Sequence, residues 1–202
     1  VAGIAASLQA LLGHLIDYAG LYPPAALELP AAAEKYRSYL ASPESWMLNR
    51  IVLPSTKLLD PGWRVTMLVD ADPGPLPPQI ETLETKLPVK FSLPTYCEAP
   101  IDRIPPGAFA KIRTGGVTPD AIPTADLIAD FLQDAAARRL PFKATAGLHH
   151  PIRSLRPLTY APNAPQAVMH GFINVFTAAA FAWHEADTEL LIDLISDVDP
   201  HA

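Results

Sequence analysis

The sequence predicts an α/β fold: a (β/α)-barrel of the TIM type, incomplete or truncated, with about six strand–helix units in one domain over residues 1–202. Three observations predict it. Short apolar segments closed by Pro, Gly or Asp alternate with helix-like stretches, the pattern of parallel strands joined by crossovers. Several strands carry one polar face, which suits a barrel interior that meets a substrate better than an open parallel sheet with two apolar faces. Two successive strands each hold a lysine among apolar residues and then run into glycine: Phe109-Ala110-Lys111-Ile112-Arg113-Thr114-Gly115-Gly116 and Phe142-Lys143-Ala144-Thr145-Ala146-Gly147. A full barrel takes roughly 250 residues, so a chain of 202 is expected to lack units.

The elements follow in order. Residues 1–12 read as a short apolar helix and 14–18 as a first strand. Residues 30–40 are helical, with Ala31, Ala32 and Ala33 favouring helix and Tyr36, Tyr39 and Leu40 forming its face. Strands are expected at 46–53, closed by Pro54, at 64–69, and at 89–93, with a short helix at 79–85 between the last two. The lysine segments are the fifth and sixth strands. Between them, 124–139 is a helix: Thr124 caps it, Asp126 and Arg138-Arg139 suit its dipole, and Leu127, Ile128, Phe131, Leu132 and Ala135 are its apolar face. Helices at 167–184 and 188–195 complete the chain, with Phe176, Phe181 and Trp183 read as core. Alternation puts Arg64, Thr66 and Asp70 on one strand face, Lys90 and Ser92 on another, and Lys111, Arg113, Lys143 and Thr145 on the polar faces of the lysine strands.

Composition narrows the function classes. The net charge of −6 argues against a nucleic-acid partner, which needs a basic surface. No apolar run reaches the roughly 18 residues of a membrane helix, so no membrane partner is expected. Cys97 is the one cysteine; it excludes an internal disulfide framework and fits a reducing, cytoplasmic compartment. The chain starts without a basic signal-peptide region or an initiator Met, and a trimmed N-terminus is expected. The sequence leaves homo-oligomer assembly open.

Barrel sites lie at the C-terminal ends of strands. The candidates there include Asp17, Tyr18, Asp70, Asp72, Glu98, Lys111, Arg113, Lys143, Thr145, His149 and His150. A buried lysine is costly unless paired or used. If Lys111 and Lys143 share a lumen, each lowers the other's proton affinity, and one becomes a nucleophile able to form a Schiff base with a carbonyl. Anion binding, or a structural ion pair with Asp70 or Glu98, is the alternative. Arg113, Thr114, Gly115 and Gly116 follow a strand directly and read as a phosphate or carboxylate cradle, against the alternative of an ordinary turn. Thr145, Gly147 and Arg153 extend that anion-binding set. His149 and His150 read as acid/base or substrate-binding groups. His170 either points to the mouth or is a core histidine, with Asn174 one turn further on its face. No HxH or HExxH spacing supports a metal site, so no cofactor is expected; a divalent metal on His149 or His150 with an acidic residue is the alternative.

The lysine segments resemble those of deoxyribose-phosphate aldolase, a class I aldolase with a barrel fold. That family carries Lys-Thr-Ser-Thr-Gly on one strand and Val-Lys-(Ala/Pro)-(Ala/Ser)-Gly-Gly on the next. Lys111, Thr114 and Gly115 match the first, and Phe142 to Gly147 match the second loosely. The resemblance implies that Lys111 is the Schiff-base lysine and Lys143 its modulator, with Asp70 as the acidic relay on geometric grounds. Arg113 and Leu148-His149-His150 depart from the family's pattern. The set Lys-Ile-Arg-Thr-Gly-Gly, Phe-Lys-Ala-Thr-Ala-Gly-Leu-His-His-Pro and Met-His-Gly-Phe-Ile-Asn-Val also resembles a group of uncharacterised bacterial proteins, whose members continue further at the C-terminus. The expected function is an enzyme acting on a small anionic carbonyl metabolite, a Schiff-base aldolase or lyase. A metal-dependent lyase, isomerase or hydrolase and a non-catalytic metabolite-binding or assembly protein are the alternatives.

Overall fold

The computed structural model describes residues 5–57 and 62–198, and the chain divides into two units: Val1–Thr85 with Phe91–Pro94, and Lys86–Lys90 with Thr95–Ala202. The first unit runs α1 (Ala6–Leu12), β1 (Ile16–Tyr18), α2 (Leu29–Leu40), β2 (Leu48–Pro54), β3 (Val65–Leu68) and β4 (Ile80–Thr85). Its four strands are parallel and lie side by side in sequence order, with Ile51 opposite Val65 and Met67 opposite Leu83. Period-2 alternation sends Ile51, Leu53, Val65, Met67 and Leu83 into one core with Tyr36 of α2. The other face is polar and largely hydrogen-bonded within itself. Asp17 accepts from the Arg50 backbone N–H at 3.0 Å and from the Thr66 hydroxyl at 3.0 Å, and Thr66 lies 2.8 Å from Thr82. Glu81 accepts from Arg50 Nε and Arg64 Nε, each at 2.8 Å.

Several expectations need correction here. The helix expected at 79–85 is strand β4: Thr82 meets Thr66 on the polar face while its neighbour Leu83 points to the core, and that alternation is a strand's; Glu81 sits where the register with β3 shifts. The strand expected at 89–93 does not form. Pro88 and Pro94 bracket it, and a proline offers no N–H to a ladder. Phe91 and Leu93 pack instead on the first unit's core, and Lys90 and Ser92 are exposed in a loop. On α2 the buried face is Ala32, Ala33 and Tyr36, while Tyr39 and Leu40 are exposed. Of the helix expected at 1–12, the first four residues lie outside the described residues.

The second unit holds β5 (Thr95–Cys97), β6 (Phe109–Arg113), α3 (Ala125–Ala137), β7 (Phe142–Thr145), the strands β8 (Ser154–Pro157) and β9 (Gln166–Met169), α4 (Phe172–Trp183) and α5 (Thr188–Ser196). β5, β6 and β7 are parallel neighbours. Thr124 Oγ1 caps α3 by accepting from Leu127 N, as expected, and Asp187 caps α5 at 2.8 Å from Leu190 N. The three helices pack on one another through Ile128, Leu132, Val175, Ala178, Leu191 and Ile195, and Phe142 packs against this core from β7. Truncating Leu132 to Ala would cost roughly 2–5 kcal/mol. Leu127, expected in the apolar face of α3, is exposed.

The helix expected from 167 begins at Phe172. Gln166–Met169 pairs antiparallel with Ser154–Pro157 instead, and Gly171 is extended at the junction. Trp183 and Phe181 are largely exposed rather than core, with Arg139 stacked over Trp183 at 5.0 Å. The regular strand–helix repeat is also sparser than expected. An α-helix bridges β1 to β2 and β6 to β7, whereas the described parts of the links β2–β3, β3–β4, β4–β5 and β5–β6 carry none. Among the described residues no helix is long and apolar enough to cross a membrane.

Candidate functional site

In the second unit, parallel register brings the two lysines together. Lys111 is the register partner of Lys143, and Arg113 of Thr145, so all four lie on one side of β6 and β7. Adjacent strands run roughly 4.8 Å apart. On the other flank, Cys97 is the partner of Ala110. One residue further, Glu98 falls beside Lys111, and its Oε2 stands 3.1 Å from Lys111 Nζ. The lysine side chain is 6% exposed and the glutamate's 21%. The contact is an ion pair without hydrogen-bond alignment at that oxygen. The Lys143 ammonium lies 5.8 Å from the centre of the Tyr96 ring, within cation–π range. The result is a row of acid, amine and amine across three strands, with an aromatic ring at one end. Pairing with Glu98 was an open alternative for Lys111; Tyr96 was not singled out, although it sits two residues before Glu98 and therefore on the same strand face.

Beyond the lysines, β6 and β7 end in loops that touch. Thr114 is buried, and its hydroxyl donates to Ala146 O while its N–H donates to Thr145 O at 2.9 Å. A Cβ on Gly115 would come 2.9 Å from Gly147 Cα, and a Cβ on Gly116 would meet Ala121 Cβ at 2.6 Å. Gly147 also has φ +80, where side chains are strained. Close packing therefore requires glycine at these positions whatever else they bind. Thr145 Oγ1 donates to Ile112 O at 3.3 Å, and Arg113 is exposed at the strand end.

His149 and His150 follow this loop. His149 is exposed, and His150 is half-buried and forms a parallel bridge with Gly171. Both imidazoles titrate below the ordinary range. For His149 the causes are desolvation and then His150; for His150 they are desolvation and then the Arg156 charge. Neutral rings at neutral pH suit proton acceptance.

Arg153 and His170 lie elsewhere in this unit, against the start of α3, where they line a recess with Thr124 and Ala125. His170 is fully buried between β9 and α4, so the helix face it was to share with Asn174 does not exist. Asn174 instead accepts from Arg153 N and donates to Leu194 O and Asp197 O. Asp70 belongs to the first unit, exposed just past β3. There it and Glu84 act on Tyr22, whose hydroxyl is pushed up to about 12, first by burial and then by those carboxylates.

Among the described residues, no three His, Cys, Asp or Glu side chains group as metal ligands would. No family model, curated protein or solved structure matches the chain.

Proposed function

We propose that the Glu98–Lys111–Lys143 row is the reaction centre of an enzyme acting on a small anionic carbonyl metabolite, a Schiff-base aldolase or lyase built on an incomplete (β/α)-barrel. The observation that carries this reading is the burial of Lys111 against Glu98, in register with Lys143. A buried amine held beside a carboxylate and a second amine is the kind of surrounding that lysine chemistry uses. In the covalent step the Lys111 nitrogen bonds the substrate carbonyl carbon and the carbonyl oxygen leaves as water. An ammonium and a carbonyl thus give an iminium and water with no net proton change. Glu98 carries the proton from nitrogen to the departing oxygen, and Lys143 modulates the amine. Arg113 with the backbone of Gly115 and Gly116 holds the substrate's phosphate or carboxylate, Thr114 fixing that turn through its bonds to Thr145 O and Ala146 O, and His149 or His150 serves as acid/base.

Borohydride trapping with a panel of aldehydes and ketones, followed by mass spectrometry of the Lys111 peptide, tests the imine. A reduced adduct on Lys111 that Lys111→Arg abolishes is the expected result. Absence of any adduct, with turnover unchanged in Lys111→Arg, ends the proposal. The ion pair also favours a second reading, metabolite binding without turnover, because a lysine bonded to a carboxylate is a common structural arrangement. That reading expects ligand-dependent thermal shifts from a protein that consumes no carbonyl.

A further inference from the structure

A second concavity in the same unit shares no lining residue with the lysine row. It has a volume of about 270 Å³ and is lined by Pro123, Thr124, Ala125, Arg153, Val168 and His170, among others. The residues converge for local reasons. Thr124 caps α3, a helix of 13 residues, so the recess opens onto that helix's N-terminus. The first N–H groups of a helix, here those of Ala125 and Asp126, have no intrahelical acceptor and carry the positive end of the dipole. From the other side, His170 at the end of β9 reaches back and places Nε2 2.8 Å from Pro123 O.

That contact fixes the tautomer. A carbonyl only accepts, so Nε2 carries the proton and Nδ1 offers a lone pair when the ring is neutral. Burial keeps the ring neutral, and the Arg153 charge acts in the same direction against the opposing bond to Pro123. His170 is 1% exposed, and its Nδ1 has no hydrogen-bond partner among the described residues. Arg153 Nε is buried and likewise without a partner among them, although Nη1 donates to Ser196 O at 3.2 Å. Buried polar atoms are rarely left unmatched. Here an unused acceptor and an unused cationic donor belong to two residues that line one recess at a helix N-terminus, each atom lying beneath its surface.

We propose that this recess binds a small oxyanion that also carries a hydroxyl. Arg153 and the first N–H groups of α3 hold the charged oxygens, and His170 Nδ1 accepts from the hydroxyl. Hydrogen phosphate and a 2-hydroxy carboxylate share that chemistry. Sulfate and acetate present the charge without the hydroxyl, and a site built around a hydrogen bond rejects an analogue that lacks it. The proposal is independent of the lysine chemistry and stands if no imine forms.

The test is a titration of protein labelled with ¹⁵N-histidine, read at the His170 ring nitrogens at constant neutral pH, with sodium phosphate, glycolate, sulfate and acetate. Phosphate or glycolate is expected to move Nδ1 upfield, as a lone pair does on accepting a hydrogen bond. The matched analogue should bind at least about tenfold more weakly. A response to phosphate alone assigns a phosphate ligand, and one to glycolate alone a hydroxy acid. Arg153→Gln should abolish the response; should that variant fail to fold, Arg153→Lys keeps the charge and is expected to weaken it. An unmoved Nδ1 with all four anions, or equal responses to all four, overturns the proposal.

Discussion

Gly115 and Gly147 meet backbone to backbone: a side chain on either would press into the other, at 2.9 Å for Gly115 and 2.8 Å for Gly147. The two glycines close the two lysine strands. Their contact, with the Thr114 hydroxyl bonded to Ala146 O, pins the β6 and β7 loops together just past the lysine pair. Gly147→Ala adds a positive-φ penalty to the clash and is expected to cost roughly 1–3 kcal/mol. Gly115→Ala, which suffers the clash without the φ penalty, should cost less. Urea midpoints of the two variants check the order, and equal midpoints with the parent would show that the loops separate freely.

The Lys111–Glu98 pair gives a second expectation. Removing one partner leaves the other poorly solvated, so Lys111→Met and Glu98→Gln should each cost roughly 1–3 kcal/mol, less than a fully buried pair because Glu98 retains some exposure. The double variant should cost less than the sum of the singles. A double-mutant cycle by chemical denaturation measures that coupling, and strict additivity would mean that the contact contributes nothing to folding.

Three histidines set a pH dependence. His149, His150 and His170 all have folded values below the ordinary imidazole value of 6.5, chiefly through desolvation. The unfolded chain therefore takes up protons first as pH falls. Stability contributed by these groups is full above about pH 6.5 and declines from there down to the lowered folded values. His170→Gln removes one titrating ring and keeps a donor for Pro123 O. Its unfolding free energy should change less steeply with pH than the parent's over that window. Parallel profiles would show that His170 does not contribute.

Glu81 bridges two arginines near the surface of the first unit, and their hydrogen bonds, that of Arg64 foremost, hold its carboxyl below the usual range. Glu81→Gln should cost roughly 0.5–1 kcal/mol in dilute buffer and much less in molar salt, because a partly exposed network is screened. Denaturation at the two ionic strengths decides it. Salt-independent loss would point to packing instead of charge.

The readable parts of the sequence were those where a local pattern coincides with a tertiary one. Lys111 and Lys143 show apolar strands closed by glycine, and parallel register then sets them side by side. Thr124 announces α3 through a cap that the fold uses. The errors came where local pattern is ambiguous. At β4, the stretch from Gln79 to Thr85 fits a helix period about as well as a strand, and only Arg50 of β2 and Arg64 just before β3 give Glu81 its direction. At 89–93, alternation is present but the flanking prolines prevail. Ahead of α4, apolar character runs through residues 167–184 without a break, yet β8 draws the first part into a hairpin. The recess at α3 depends on Arg153 and His170 meeting from segments far from Thr124 in sequence, and no spacing rule encodes that meeting.

Cys97 has a consequence of another kind. It is the chain's one cysteine, fully buried on β5, with its thiol bonded to Val89 O at 3.1 Å and its pKa raised by burial. A thiol reagent can reach that sulfur only after β5 has come away from its surroundings. The rate at which the native protein is labelled is thus a clock for the opening of the strand that leads into Glu98, and it can be read without installing any probe.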